Sequence, residues 1–299
     1  MRVAVVQFAP KIGRVQENIE TARKLCEQIK PHSVDLVCFP EMVFTGYVFP
    51  DARSITPHLE QPGKGPTSRF CADLAARLQC HVVAGYPERL DDRELGGTAA
   101  GNENAIMSVG ANSAILYGPD GALIGGYRKT NLFEIDMTWA KAGTGFATFS
   151  LPKPLNNVSM GICMDLNPQQ SVKWSIEGPY EIADHCISKR SNLLILLNAW
   201  LDSGSKADEQ KDWYTLQYWA SRLKPLWAGS PLSIEGVQGT PADETIVIIC
   251  NRCGEENGKT FAGTSSVFRM RQGSGRPQLL HAMERHEEGV ALWDIPTGS

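Results

Sequence analysis

Three residues with the chemistry of acyl transfer stand at the ends of apolar runs: Glu41, Lys129 and Cys163. Cys163 closes the alternating run of residues 157–162 at the small-residue turn Gly161-Ile162-Cys163. A strand that ends in a sharp bend can present a side chain with backbone N–H groups beside it. A thiol placed there can attack a carbonyl carbon. Glu41 follows a buried-strand pattern at 34–39 and Pro40, ahead of the turn-forming Thr45-Gly46, where a carboxylate can act as general base. Lys129 lies at the far end of a hairpin whose turn is Gly118-Pro119-Asp120-Gly121, and an ammonium there can stabilise an oxyanion. Each residue alone has an ordinary reading: inert core thiol, turn acid, solvated hairpin end. Their conjunction carries the inference.

The elements that must position them follow from apolar periodicity. Strand patterns fall at 3–8, 34–39, 81–86, 104–109, 113–117, 122–127, 157–162, 193–198, 245–250, 264–270 and 289–294. Helical spacing covers 16–30, stopped by Pro31, then 67–79 after Gly65-Pro66, 180–190 and 212–223. Trp213, Trp219 and Trp227 read as helix packing. Strand–helix–strand order early in the chain predicts parallel pairing, and the close spacing from 104 to 127 predicts hairpins, so a mixed α/β sheet is expected. Residues 1–299 read as one domain without repeats. Polar, small-residue loops are expected at 91–102 and 202–212.

Composition narrows the class. The chain has 299 residues, 42% hydrophobic and 21% charged, with a net charge of −4. That balance gives no basic field for nucleic acid, and no Lys/Arg stripe interleaves with aromatics. The first eight residues enter a strand pattern directly, without the features of a signal peptide, and no apolar run approaches the ~20 residues of a membrane helix. The eight cysteines are scattered through core-like segments, which favours a reducing, cytoplasmic setting. Cys250 and Cys253 have the spacing of half a zinc knuckle, but nothing at suitable spacing completes four ligands. The six histidines make no spaced pair, and neither Gly96-Gly97 nor Gly125-Gly126 opens a phosphate loop. No metal and no cofactor is expected.

Pro40-Glu41, Tyr127-Arg128-Lys129 and Gly161-Ile162-Cys163 occur in the order and rough spacing of the carbon–nitrogen hydrolase (nitrilase) superfamily, which the chain resembles over most of its length. Val3 to Pro10, Leu196 to Trp200, Asn251 to Gly254 and Phe261 to Ser266 look like the same family. The resemblance implies a four-layer α-β-β-α sandwich, commonly a homodimer. At Asn167, where the family more usually carries arginine, the chain is similar to the fungal amino-terminal amidase branch, as it is over 198–202 and 218–227. That branch removes ammonia from the side-chain amide of Asn or Gln at a protein's first position and feeds N-degron degradation.

An amide is a poor electrophile with a poor leaving group, so nucleophile, proton donor and charge stabilisation are needed together. Cys163 is expected to attack as thiolate, favoured by Lys129, with Glu41 shuttling the proton and then activating water. Lys129 and the backbone N–H of Met164 would hold the oxyanion. Family members usually place a second glutamate after the lysine. Glu134 is preferred on residue type, with Asp136 as competitor. A protein's amino terminus also brings an α-ammonium, for which Asp165 is the expected acceptor, against the plainer reading that Asp165 braces the nucleophile turn. Tyr47 and Trp200 are expected to wall the pocket or simply to pack. The expected substrate is a peptide or protein beginning with Asn or Gln. The alternatives are a small-molecule amidase, nitrilase or carbamoylase, and a non-catalytic binding protein on this fold.

Overall fold

The computed structural model describes residues 1–96, 108–169, 172–173, 175, 177–204, 208–228 and 244–296. The expected strand at 104–109 and the loops at 91–102 and 202–212 therefore fall partly outside the described residues.

The first sheet contains β1 (Arg2–Gln7), β2 (Leu36–Cys38), β3 (His81–Arg89), β4 (Gly110–Tyr117) and β5 (Leu123–Arg128). The second contains β6 (Ala147–Ser150), β7 (Asn157–Ile162), β8 (Leu193–Asn198) and β9 (Glu244–Asn251). A small ribbon of β10 (Glu255–Glu256) and β11 (Lys259–Thr260) precedes β12 (Ser266–Arg271) and β13 (Gln278–Ala282), which extend the second sheet. The chain then returns as β14 (Gly289–Asp294) to the first. The strand orders are β14-β1-β2-β3-β4-β5 and β13-β12-β9-β8-β7-β6. The pairs β1–β2, β2–β3, β7–β8 and β8–β9 are parallel and the outer pairs antiparallel, the mixed pattern expected.

Strand alternation builds the layers. Val3 and Val5 of β1, Leu36 and Cys38 of β2 and Val83 of β3 face Met160, Ile162, Ile195 and Ile248 across the two sheets. On the other side of the first sheet, Ala4, Val6, Val37 and Val82 pack against α1 (Val15–Cys26) and α3 (Pro66–Leu78). Two shorter helices, α2 (Ala52–Ile55) and α4 (Asp92–Gly96), lie in connecting segments. The outer face of the second sheet, with Leu194, Leu196, Val247 and Ile249, is covered by α5 (Glu181–Lys189), α6 (Trp213–Arg222) and α7 (Pro225–Ala228). This is the four-layer α-β-β-α sandwich. Among the described residues no helix is long and apolar enough to cross a membrane.

Several boundaries differ from expectation for physical reasons. The first helix stops at Cys26, not Lys30, although Ile29 remains buried in the turn beyond it. The strands β6 and β13 carry no expected counterpart: each borders its sheet, is only partly buried, and lacks clean alternation. Trp219 is fully buried in α6, whereas Trp213 at its start is 48% exposed and packs no core.

Candidate active site

The catalytic candidates leave the same end of both sheets. Glu41 follows β2, Lys129 follows β5, Cys163 follows β7, and Ala199 and Trp200 follow β8. The turn that carries Glu41 is pressed onto β3. Gly85 N–H donates to Pro40 O at 3.1 Å, and Val43 N–H donates to Gly85 O at 3.1 Å. A Cβ on Gly85 would stand 2.6 Å from Glu41 Cα and 2.7 Å from Met42 N, so the approach requires glycine.

Lys129 and Glu41 are fully buried and paired, with Lys129 Nζ 2.7 Å from Glu41 Oε1. The second carboxylate on that ammonium is Asp136, also fully buried and 2.7 Å from Nζ. Glu134 is exposed and takes no part in this network. It sits two residues earlier, before the 3-10 turn Asp136–Thr138 aims Asp136 inward, and Phe133 N–H donates to Asp136 Oδ2 at 3.0 Å. The fourth polar position is therefore filled by the expected competitor. Asn112, which sequence reasoning missed, ties the cluster together: its Nδ2 donates to Glu41 Oε1 at 2.7 Å and to Asp136 Oδ1 at 2.9 Å. The only trace of it in the sequence is a polar residue inside the apolar strand β4. Ala199 N–H donates to Glu41 Oε2 at 2.7 Å.

Cys163 opens a short 3-10 turn, Cys163–Leu166, with φ 43, a left-handed conformation that a non-glycine residue holds only when its surroundings impose it. Its own N–H donates to Asn198 Oδ1 at 3.1 Å. Met164 N–H comes next in the first turn, where helical amides have no partner inside the helix.

Electrostatics set the resting state. Burial pushes the Cys163 thiol well up, Glu41 adds to this, and Lys129 only partly opposes it. Lys129 favours the thiolate as expected, but burial and Glu41 outweigh it, and the net shift keeps the proton on sulfur. Burial also raises Glu41, with Lys129 pulling it down and Asp136 pushing it up. Burial alone would lower Lys129, but Asp136 and Glu41 outweigh it and hold the ammonium charged. The arrangement is a neutral thiol beside a carboxylate of raised basicity, with a fixed cation alongside.

Asp165 is a brace. Its Oδ2 accepts from Ile162 N–H and Tyr127 OH, both at 2.7 Å, and its Oδ1 from Asn131 N–H at 2.8 Å and Thr130 N–H at 3.1 Å. Four donors occupy a carboxylate's acceptor positions, so the expected contact with a substrate ammonium is not available. The bonds lock the end of β7, and thus Cys163, to the segment following Lys129.

A cavity of ≈ 200 Å³ opens on Cys163. Met164 and Asn167 line it from the nucleophile turn, Ala199, Trp200 and Leu201 from the end of β8, and Tyr47 and Phe133 from the first sheet's loops. Tyr47 and Trp200, expected either to wall the pocket or to pack, both line it, and both also pack against buried apolar clusters. Trp200 N–H donates to Asn251 Oδ1 at 2.8 Å. Tyr47 OH donates to Asp136 Oδ2 at 3.2 Å, and Tyr47 N–H donates to Glu256 Oε1 at 2.7 Å. Glu256 in turn pairs with buried Arg252 at 2.6 Å. A larger cleft of ≈ 490 Å³ lies elsewhere, lined by residues such as Lys11, Glu17 and Glu255, and does not include Cys163. Cys250 donates its thiol to the carbonyls of Val6 and Cys38 and Cys253 to that of Glu287, so the two thiols serve separate backbone carbonyls.

The family model for carbon–nitrogen hydrolases matches residues 2–174. The chain is 32% identical to a protein N-terminal amidase of Schizosaccharomyces pombe, over 99% of both chains. It is 30% identical to a nitrilase of Pyrococcus abyssi, over 99% of this chain and 89% of that one. Among solved structures, an N-terminal amidase with an Asn-Glu-Ala peptide superimposes with a TM-score of 0.80 at 21% identity, covering 99% of this chain and 97% of the other. At that identity the likeness speaks for the fold.

Proposed function

Because the chain belongs to the carbon–nitrogen hydrolase family, we propose that it is a cysteine amidohydrolase that converts amino-terminal Asn and Gln of proteins and peptides to Asp and Glu. The observation that carries this reading is the match to the S. pombe amidase along essentially the whole of both chains. The geometry supports the chemistry, because Glu41, Lys129 and Cys163 converge at one end of the sandwich.

Glu41 takes the proton of the resting Cys163 thiol as sulfur attacks the side-chain amide carbon. Lys129 has three N–H donors, and Glu41 and Asp136 engage two of them, leaving one for the oxyanion together with Met164 N–H. Glu41 then passes its proton to the amide nitrogen, the C–N bond breaks, and ammonia leaves a thioester on Cys163. Water, deprotonated by Glu41, attacks the thioester. The acid departs and the proton returns to Cys163. Asp136, Asn112 and Tyr47 keep Lys129 and Glu41 in register through both halves. A binding protein would have no use for a buried cation held between two carboxylates beside a cysteine. The eight cysteines are all unpaired and buried, which suits a reducing compartment. The product termini suit a step that feeds amino-end-dependent degradation.

Ammonia release tests the reading, with matched short peptides beginning with Asn, Gln or Gly-Asn, free asparagine, a simple nitrile and a carbamoyl amine, and Cys163→Ala as control. Release from the Asn- and Gln-first peptides alone supports it. Turnover of only the nitrile or the small amides sinks it, and the P. abyssi relative makes the nitrile the instructive competitor.

A further inference from the structure

An amino-terminal residue brings two groups to the pocket, a side-chain amide and an α-ammonium, and the second needs an acceptor. Asp165 is saturated by four donors. Glu41 accepts from Lys129, Asn112 and Ala199, and Asp136 from Lys129, Asn112, Tyr47 and Phe133. Among the described residues, no residue bearing a carboxylate lines the cavity over Cys163, and the one lining residue that carries a side-chain carbonyl is Asn167.

Asn167 is also held ready. Tyr218 OH donates to its Oδ1 at 2.5 Å, its Nδ2 lies 3.2 Å from Met164 Sδ, and Asn131 Nδ2 donates to its backbone oxygen at 2.7 Å. A carbonyl oxygen has two lone pairs, and Tyr218 uses one. Asn167 caps the 3-10 turn that Cys163 opens, so nucleophile and acceptor ride on one rigid turn. In an Asn or Gln residue the α-nitrogen is a few bonds from the amide carbon, and a single turn can serve both. The Trp200 ring, packed 5.6 Å from that of Tyr218, adds an aromatic wall that favours a cation.

We propose that Asn167, oriented by Tyr218, is the acceptor for the substrate's α-ammonium and so selects amino-terminal residues over other amides. The assignment rests on the amidase reading of the same site. A neutral acceptor has a physical advantage here: the empty pocket holds no unpaired buried charge.

The test compares an Asn-first tripeptide, its α-acetylated twin and propionamide on the full chain. For Asn167→Leu, the preference in kcat/KM for the free-amine peptide over the other two falls about 10- to 100-fold, through KM, the range for losing a hydrogen bond to a charged group. Asn167→Asp, which restores an acceptor, keeps the preference. Tyr218→Phe lowers it by a smaller factor and serves if Asn167→Leu does not fold. Glu134→Gln, at an exposed residue outside the cavity lining, leaves it intact. An unchanged preference in both Asn167→Leu and Tyr218→Phe, an equal loss on all three substrates, or a loss in Glu134→Gln overturns the assignment. If the unmodified enzyme turns over propionamide but no Asn- or Gln-first peptide, the amidase reading itself falls and takes the assignment with it.

Discussion

Gly85→Ala isolates the positioning of the base from its chemistry. Gly85 lies in β3 and touches no part of the cavity, yet its missing Cβ lets the Pro40–Met42 backbone lie against the strand. An added methyl would meet Glu41 Cα at 2.6 Å, Met42 N at 2.7 Å and Pro40 O at 2.9 Å. Carbon atoms in ordinary contact sit about 3.5–4.0 Å apart, so the turn must shift by roughly 1 Å. Backbone cannot rotate out of the way as a side chain can. The hydrogen bonds from Gly85 N–H to Pro40 and from Val43 N–H to Gly85 O resist the shift on both flanks. Overpacking of this kind costs ~1–3 kcal/mol of stability. A misplacement of ~1 Å in a catalytic group costs ~10²-fold in rate, or about 2.7 kcal/mol of barrier. The assay is kcat on an Asn-first peptide alongside the thermal midpoint. The control is Gly289→Ala in β14, where a Cβ meets nothing within 4 Å and φ is not positive. The expected result is a kcat at least tenfold lower in a folded Gly85→Ala enzyme, with the Gly289→Ala enzyme unaffected. A folded Gly85→Ala enzyme with full kcat would refute the claim that this contact fixes the base.

Asp136→Asn should lower kcat by ~10²–10³, because it removes one of two charged partners that aim Lys129. It should also move the acid limb of kcat/KM to lower pH, since the Asp136 charge helps to hold Glu41 up. Asp165→Asn places an amide N–H₂ against backbone donors and should cost ~3 kcal/mol in chemical denaturation. It should leave the preference for free over acetylated amino termini unchanged in whatever fraction folds, and a lost preference would restore Asp165 as a substrate contact. Alkylation of Cys163 by iodoacetamide should be slow at neutral pH and accelerate above the ordinary thiol range, because the thiolate reacts and burial with Glu41 raises the thiol. A rate that is already maximal at pH 7 would contradict a neutral resting thiol.

The residues that end apolar runs are legible in the sequence, because a polar side chain just past a strand stands at the end of the sheet, where segments from several strands meet. Glu41, Lys129 and Cys163 are all of this kind. Asn112 is not legible: its role depends on the β4–β5 register that places Lys129 N–H on Asn112 O at 2.8 Å, and register is a property of pairing between distant segments. The preference for Glu134 over Asp136 fails because residue type is a poor guide there. Both lie shortly after Lys129, but Glu134 precedes the 3-10 turn and faces solvent, whereas Asp136 opens that turn and is buried, and the shorter acid already reaches the ammonium. Asp165 illustrates a third limit. Its position two residues past the nucleophile fits either a substrate contact or a brace, and only the four donors around it decide. The edge strands β6 and β13 escape notice because half-exposed borders of a sheet need no apolar alternation.

Amino-terminal deamidation through Cys163 is decided by mass spectrometry of one peptide that begins with Asn and carries a second Asn and a Gln inside, incubated with the enzyme and with Cys163→Ala. The first residue alone should become Asp, at a rate that vanishes in the Cys163→Ala enzyme. Deamidation of an internal residue, or an untouched peptide from a preparation that consumes a nitrile or a small amide, would contradict it.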